Sequence, residues 1–188
     1  MQTLTTTEKI TVEDFKKMYF IESEDAPYME LMEGQIIQKS SPSLAHQIIS
    51  GKLFFALETF NRMHSLGQVV TAPIDIVLDR YNCLQPDLVF ILNDQKDIIT
   101  NNGIIGSPAL AIEIISPSSA MRDRVHKKKI YERNGVKEYW LVYPEYEEIE
   151  IFELKNGLYE LFSTATKTEG ELQSAILKDL KLDLKEIF

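Results

Sequence analysis

Residues 109–115, Ala-Leu-Ala-Ile-Glu-Ile-Ile, form the most apolar run in the chain. A run of this length without alternation reads as a strand buried on both faces. Such a strand belongs inside a sheet covered by other layers, so the fold must stack helices or a further sheet on it. One carboxylate, Glu113, interrupts the run. A lone buried carboxylate carries a heavy desolvation cost, so Glu113 needs a partner, a proton or a metal ion.

The flanking sequence supplies the other elements. Ser116-Pro-Ser-Ser119 closes the strand and can cap a helix that is expected to run to about Asn134 and stop at Gly135. Upstream, Thr11 opens a helix, and Tyr28–Lys39 reads as a hairpin around Glu33-Gly34. Leu44–His64 carries Leu44, Ile48, Ile49, Leu53, Phe54, Leu57 and Phe60 on one face of a long helix. Gln68–Leu78, Gln85–Leu92 and Glu138–Val142 read as strands, and Asp97–Ile105 as helix or turn. Glu148–Leu154 and Leu158–Phe162 form a hairpin across Asn156-Gly157. Helices and strands mixed in this order predict an α/β or α+β fold. With 188 residues and no long linker, a single domain over 1–188 is expected, residues 1–12 being a candidate flexible lead.

Composition removes several function classes. Cys83 is the sole cysteine, so neither an intrachain disulfide nor a cysteine zinc cluster can form. The opening MQTLTTTEKITVEDF lacks the apolar stretch of a secretory signal, and no run reaches about 18 apolar residues. A cytoplasmic protein is therefore expected. The net charge of −9 argues against a generic DNA-coating protein. That average hides a basic stretch directly after the candidate central strand. Arg122, Arg124, Lys127, Lys128, Lys129, Arg133 and Lys137 stand there against only Asp123 and Glu132. The stretch reads as a solvated helix face or as a local positive field.

Two acids carry the chemistry. Asp87 follows Pro86 at a strand start, and Glu113 sits mid-strand. On neighbouring strands they could share one divalent cation, with the Ile114 carbonyl as a further hard oxygen. Mg²⁺ binds through one or two carboxylates and keeps waters for the substrate. A lysine nearby would stabilise negative charge. The structural alternatives are a turn role for Asp87 and ion pairing for Glu113. Asp75 is a third acid that either lines the cleft or pairs locally. Trp140 and Tyr139 read as core rather than base-stacking groups. A serine hydrolase is disfavoured because no Gly-x-Ser-x-Gly elbow exists.

The segments QPDLVFIL, GSPALAIEIISPSS and RDRVHKKKIYERNGVKEYWLVYP together resemble the Uma-two family of restriction-endonuclease-like proteins. The resemblance extends over about residues 13–188. It implies the PD-(D/E)XK nuclease fold: a mixed central β-sheet flanked by helices, with an N-terminal β-hairpin. It implies Asp87 and Glu113 as catalytic metal ligands for Mg²⁺ or Mn²⁺, with Ile114 completing the set. No lysine stands two residues after Glu113, where Ile115 lies. The family's substitute is a lysine four residues before a tyrosine, here Lys127 before Tyr131. Lys128 and Lys129 point about 100° and 200° away on a helix. Glu30 takes an auxiliary, water-mediated place at the metal, and His46 and Gln85 line the site. Arg122, Arg124 and Lys128 are the candidate nucleic-acid contacts.

The implied function is metal-dependent hydrolysis of phosphodiester bonds, in DNA by expectation. The alternative is a catalytically silent nucleic-acid-binding or assembly module on the same fold. A homodimer is expected, with EIEIFEL and EYWLV as candidate edges.

Overall fold

A computed structural model describes residues 8–20 and 29–188. Tyr28 and residues 1–7 of the expected lead fall outside the described residues. The chain order is α1 (Val12–Phe20), β1 (Met29–Met32), β2 (Gln35–Gln38), α2 (Leu44–His64), β3 (Gly67–Thr71), β4 (Ile76–Asp79), β5 (Asn82–Leu84) and β6 (Leu88–Leu92). A 3₁₀ turn (Asn93–Ile98), β7 (Ile99–Thr100), β8 (Gly103–Ile105) and β9 (Leu110–Ile114) follow. A π-helical stretch (Arg122–Lys127) leads into α3 (Lys128–Arg133), then β10 (Glu138–Tyr143), β11 (Glu148–Lys155), β12 (Leu158–Thr166) and α4 (Leu184–Ile187).

The main sheet runs β12-β11-β10-β9-β6-β3. It is mixed: β9 and β10 are parallel, and the other neighbours are antiparallel. Every residue of β9 is buried, as the apolar run requires. Its period of two divides the strand between two cores. Leu110, Ile112 and Ile114 pack with Leu53 and Leu57 of α2 and with Leu177 and Leu184 of the C-terminal segment. Ala111 faces the other way, toward Ile130 and Tyr131 of α3 and Leu84 of β5. Tyr139 and Trp140 are fully buried core residues, one on each face.

A second sheet, β2-β1-β5-β4-β8-β7, was not separated by the sequence pattern. The expected strand Gln68–Leu78 is in fact two strands. β3 pairs with β6 in the main sheet, while β4 pairs with β5 and β8 in the second. The cis Ala72–Pro73 peptide stands between them, and Pro73 has no N–H with which to continue a ladder. Asp97–Ile105 resolves into the end of the 3₁₀ turn and a short antiparallel pair.

The two hairpins turn where expected. Glu33-Gly34 (φ 53° and 81°) and Asn156-Gly157 (φ 51° and 83°) each put two successive residues at positive φ, as a tight two-residue hairpin demands. Helix α2 starts on Ser43, whose hydroxyl accepts from the His46 N–H at 3.2 Å. Leu44 and Ile48, read as part of its core face, are 78% and 49% exposed. The sheet covers only the strip through Ile49, Leu53, Leu57 and Phe60. EYWLV and EIEIFEL are not edges either: β10 lies between β9 and β11, and β11 between β10 and β12. Among the described residues no helix is long and apolar enough to cross a membrane.

Candidate active site

The alternation that sends Ala111 toward α3 sends Glu113 there too, two residues on. Glu113 is 3% exposed, and both of its hydrogen bonds converge on Oε1. Lys127 Nζ donates at 2.9 Å and the Tyr131 hydroxyl at 3.0 Å. Asp123, Lys127 and Tyr131 are spaced four apart, which aligns them on one helical face. Asp123 Oδ1 lies 3.5 Å from Lys127 Nζ. A third acid reaches the same ammonium from β1, with Glu30 Oε1 at 2.9 Å.

Lys127 is 1% exposed and is the ammonium bonded to both Glu30 and Glu113. Burial disfavours its charge, but Glu113, Glu30 and Asp123 together hold its pKa well above the ordinary lysine value. It is a permanent cation. Glu30 gains most from it. Burial pushes Glu30 up, yet Lys127, Lys39 and the Gln85 N–H pull it below the usual carboxylate range. Glu113 is left short. Burial, with Asp123, Asp87 and Glu30 adding repulsion, outweighs Lys127 and pushes it up to about 8.

Asp87 sits just before β6, where its N–H donates to the Ile112 carbonyl at 3.1 Å. Its Oδ2 accepts the Ile114 N–H at 2.7 Å and lies 3.1 Å from His46 Nε2. Burial raises its pKa, but His46, the Ile114 N–H and Lys39 keep it below the ordinary value. Asp87, Glu113 and Lys127 share one cavity of about 720 Å³. Ile114, His46, Gln85, Arg122 and Arg124 line it as well. Two serine-rich loops, 40–43 and 116–119, and the turn at 143–146 complete the wall.

Two expected site residues lie elsewhere. Glu30 is fully buried and does not line the cavity. Its Oε1 meets Lys127, Lys39 and the Gln85 N–H, while its Oε2 is buried without a hydrogen-bond partner. Lys128 is also outside the cavity wall: its ammonium sits 3.4 Å above the Phe152 ring. One residue further along a helix is about 100° round it, which takes Lys128 away from Glu113. Asp75 accepts from Gln85 Nε2 at 2.9 Å, the local pairing role.

Three residues join the site that the sequence did not assign to it. Asp123 and Tyr131 were legible as the positions four before and four after Lys127. Lys39 carries no local signal. It arrives from the end of the hairpin, donates to the Gln85 carbonyl at 2.7 Å and lines the cavity.

The donor set fits a hard divalent cation. Asp87 and Glu113 offer carboxylate oxygens to one cavity, beside a lysine held by Glu113, Glu30 and Asp123. Mg²⁺ needs one or two carboxylates and takes its other oxygens from water and substrate. Among the described residues no three His, Cys, Asp or Glu side chains are arranged to enclose a metal by themselves.

Comparison with known proteins follows the same lines. No curated protein matches the chain. Among solved structures, it is similar to one described as a "putative nuclease belonging to DUF820 from Anabaena variabilis ATCC 29413". The TM-score is 0.77 at 20% identity, covering 95% of this chain and 97% of that one, which establishes a shared fold. The model of the Uma2 family, described as "Putative restriction endonuclease", matches residues 12–185, and the chain belongs to that family.

Proposed function

We propose that this protein is a metal-dependent nuclease that hydrolyses phosphodiester bonds in DNA. One observation carries the reading: the carboxylates Asp87 and Glu113 and the buried Lys127 line one cavity. Membership of a family described as restriction endonuclease supports it.

Asp87 and Glu113, with the Ile114 carbonyl, hold Mg²⁺ or Mn²⁺ in this reading. The cation supplies a water of lowered pKa and a counter-charge for a phosphoryl oxygen. The chain does the rest. Glu113 would hold the ion as a carboxylate, and the ion's charge would offset its repulsion with Asp87 and Asp123. The His46 ring and the Ile114 N–H fix the Asp87 carboxylate. Lys127 is held charged, so it acts as a fixed cation toward the developing negative charge and not as a proton acceptor. Glu30 and Asp123 fix its ammonium. Arg122 and Arg124 draw the phosphate backbone to the rim.

The test is cleavage of plasmid and single-stranded DNA with Mg²⁺ or Mn²⁺ by wild type, Asp87→Asn and Lys127→Ala. Activity falls by at least about 100-fold in both variants, the scale set by losing one preorganised charge. Metal-dependent nicking that survives Asp87→Asn overturns the assignment. The second reading, a silent module, draws on the same ion cluster, since Lys127 already has structural partners. Calorimetric titration with Mn²⁺ separates the two, because a silent module has no reason to bind the ion at Asp87 and Glu113.

A further inference from the structure

The cavity is lined by the cationic Lys39, Arg122 and Arg124 and by the turn between β10 and β11, which brings Tyr143, Glu145 and Tyr146 to it. Tyr146 is 66% exposed, an uncommon setting for a large aromatic ring. It is rigidly carried. The Tyr146 N–H donates to the Tyr143 carbonyl at 3.2 Å, and the Lys167 N–H donates to the Glu147 carbonyl at 2.8 Å. Its neighbour Tyr143 is buried and anchored by its hydroxyl on Glu150 at 2.7 Å. The two rings lie 6.3 Å apart and tilted at 53°. Arg124 reaches over the Tyr143 ring at 5.7 Å.

The reacting groups are recessed: Glu113 is 3% and Lys127 1% exposed. A phosphodiester must descend into the cavity to meet them. A duplex keeps its bases paired and stacked, whereas a single strand has bases free to lie on an aromatic ring. The cavity lining suits a single strand. Phosphates favour the arginine side and are repelled by Glu145, while a splayed base finds the exposed face of Tyr146. Aromatic platforms beside a basic groove are the general means of holding single-stranded nucleic acid.

We infer that the substrate of this site is single-stranded DNA, held with its backbone along Arg122 and Arg124 and an unpaired base stacked on Tyr146. The inference deepens the nuclease reading and rests on its site.

The experiment uses the full chain and fluorescence anisotropy with three labelled probes: a single-stranded oligonucleotide, its duplex, and an abasic strand of equal length. Tyr146→Ala and Tyr146→Phe are compared with wild type, and Tyr146 is exposed enough for both to fold. The single strand binds at least about tenfold more tightly than the duplex. Tyr146→Ala loses about tenfold on the single strand, the scale of one stacked base, and nothing on the abasic strand. Tyr146→Phe keeps wild-type affinity, because the ring and not the hydroxyl stacks. Equal binding of single strand and duplex overturns the inference, as does an equal loss on the abasic probe. The same probes, incubated with Mn²⁺, keep the two readings apart. Cleavage of duplex with none of single strand sinks this inference and leaves the nuclease reading standing. Tyr146-dependent binding without cleavage supports the single-strand site and sinks the nuclease.

Discussion

Glu113 and Glu138 are buried glutamates on the neighbouring parallel strands β9 and β10, and the sheet sends them to opposite faces. The register pairs Glu113 with Leu141 and Glu138 with Leu110, so they also stand at opposite ends of the pair. Glu138 is saturated by neutral donors. Its Oε1 takes Trp140 Nε1 at 2.6 Å and the Ser174 hydroxyl at 2.8 Å, and its Oε2 takes the N–H groups of Ala175 at 2.7 Å and Ile176 at 3.3 Å. Burial raises its pKa and those donors oppose the rise. It fastens the C-terminal segment to the sheet. Glu113 has two donors on one oxygen, three acids for company and a cavity in front of it. Burial alone therefore does not mark a functional acid. What does is a charge imbalance that the protein leaves for something else to complete.

The comparison breaks most visibly at Lys127, which has no counterpart beside Glu138. Lys127→Met leaves Glu30, Glu113 and Asp123 without their shared cation. Removing one partner of a buried ion pair costs about 3–5 kcal/mol. Urea unfolding of the metal-free protein should show a loss in that range. A loss below about 1 kcal/mol would mean that water already screens the cluster. Asp123→Asn in the same background should recover part of the loss.

Exchanging each glutamate for glutamine separates structure from activity. In Glu138→Gln an amide NH₂ must face a row of donors, at about 1–3 kcal/mol for the unsatisfied groups. Its activity per folded molecule stays at the wild-type level. Glu113→Gln does the reverse, abolishing metal-dependent cleavage while costing less stability near neutral pH, because burial and neighbouring acids already disfavour the Glu113 carboxylate there. Equal behaviour of the two variants in both assays would erase the distinction.

Much of the site could be read before any coordinates, and the division has physical causes. Strand β9, helix α2 and both hairpins rest on local periodicity and turn chemistry, which a sequence displays directly. Helical rotation allows only one of three adjacent lysines to face a given strand, and it was the family resemblance, a lysine four residues before a tyrosine, that pointed to Lys127. Lys39 and the burial of Glu30 depend on how the second sheet docks on α3, a long-range event with no local pattern. The split at Pro73 was visible in the residue type, but not the fact that its two sides join different sheets. The ring of Phe152 under Lys128 was not legible either, because a run of like charges does not reveal which members have an aromatic ring beneath them.

A smaller effect follows from the raised pKa of Glu113. Between the free value of 4.5 and about 8, the folded protein keeps a proton that the unfolded chain has shed. The native state then binds more protons, so this group's contribution to stability is full below 4.5 and is lost as pH rises toward 8. Thermal unfolding in a chelator should show wild type losing stability relative to Glu113→Gln between pH 5 and pH 8. Added Mn²⁺ should reverse the trend in wild type only. A difference that stays flat across this window shows that Glu113 ionises normally.

The smallest change tests the two acids with matched deletions. Tyr131→Phe removes the hydroxyl donor to Glu113, and Ser174→Ala removes the hydroxyl donor to Glu138. Tyr131 keeps its ring packing against Tyr139 at 5.1 Å, so only the hydrogen bond goes. Each deletion costs about 1 kcal/mol, the net worth of one hydrogen bond. Ser174 also accepts the Leu177 N–H, which places its cost toward the upper end. The stability scale alone therefore cannot tell the sites apart, but metal dependence can. A hydroxyl donating to a carboxylate favours its ionised form. Losing the Tyr131 hydroxyl makes Glu113 harder to ionise, and the Mn²⁺ needed for half-maximal activity at pH 7 rises severalfold. As pH rises and the Glu113 carboxylate is favoured in both proteins, the difference shrinks. Ser174→Ala leaves the Mn²⁺ requirement unchanged throughout, because Glu138 lies on the far face of the sheet from the cavity. A Mn²⁺ requirement that moves equally in both variants would trace the effect to general loosening of the sheet and not to the charge on Glu113.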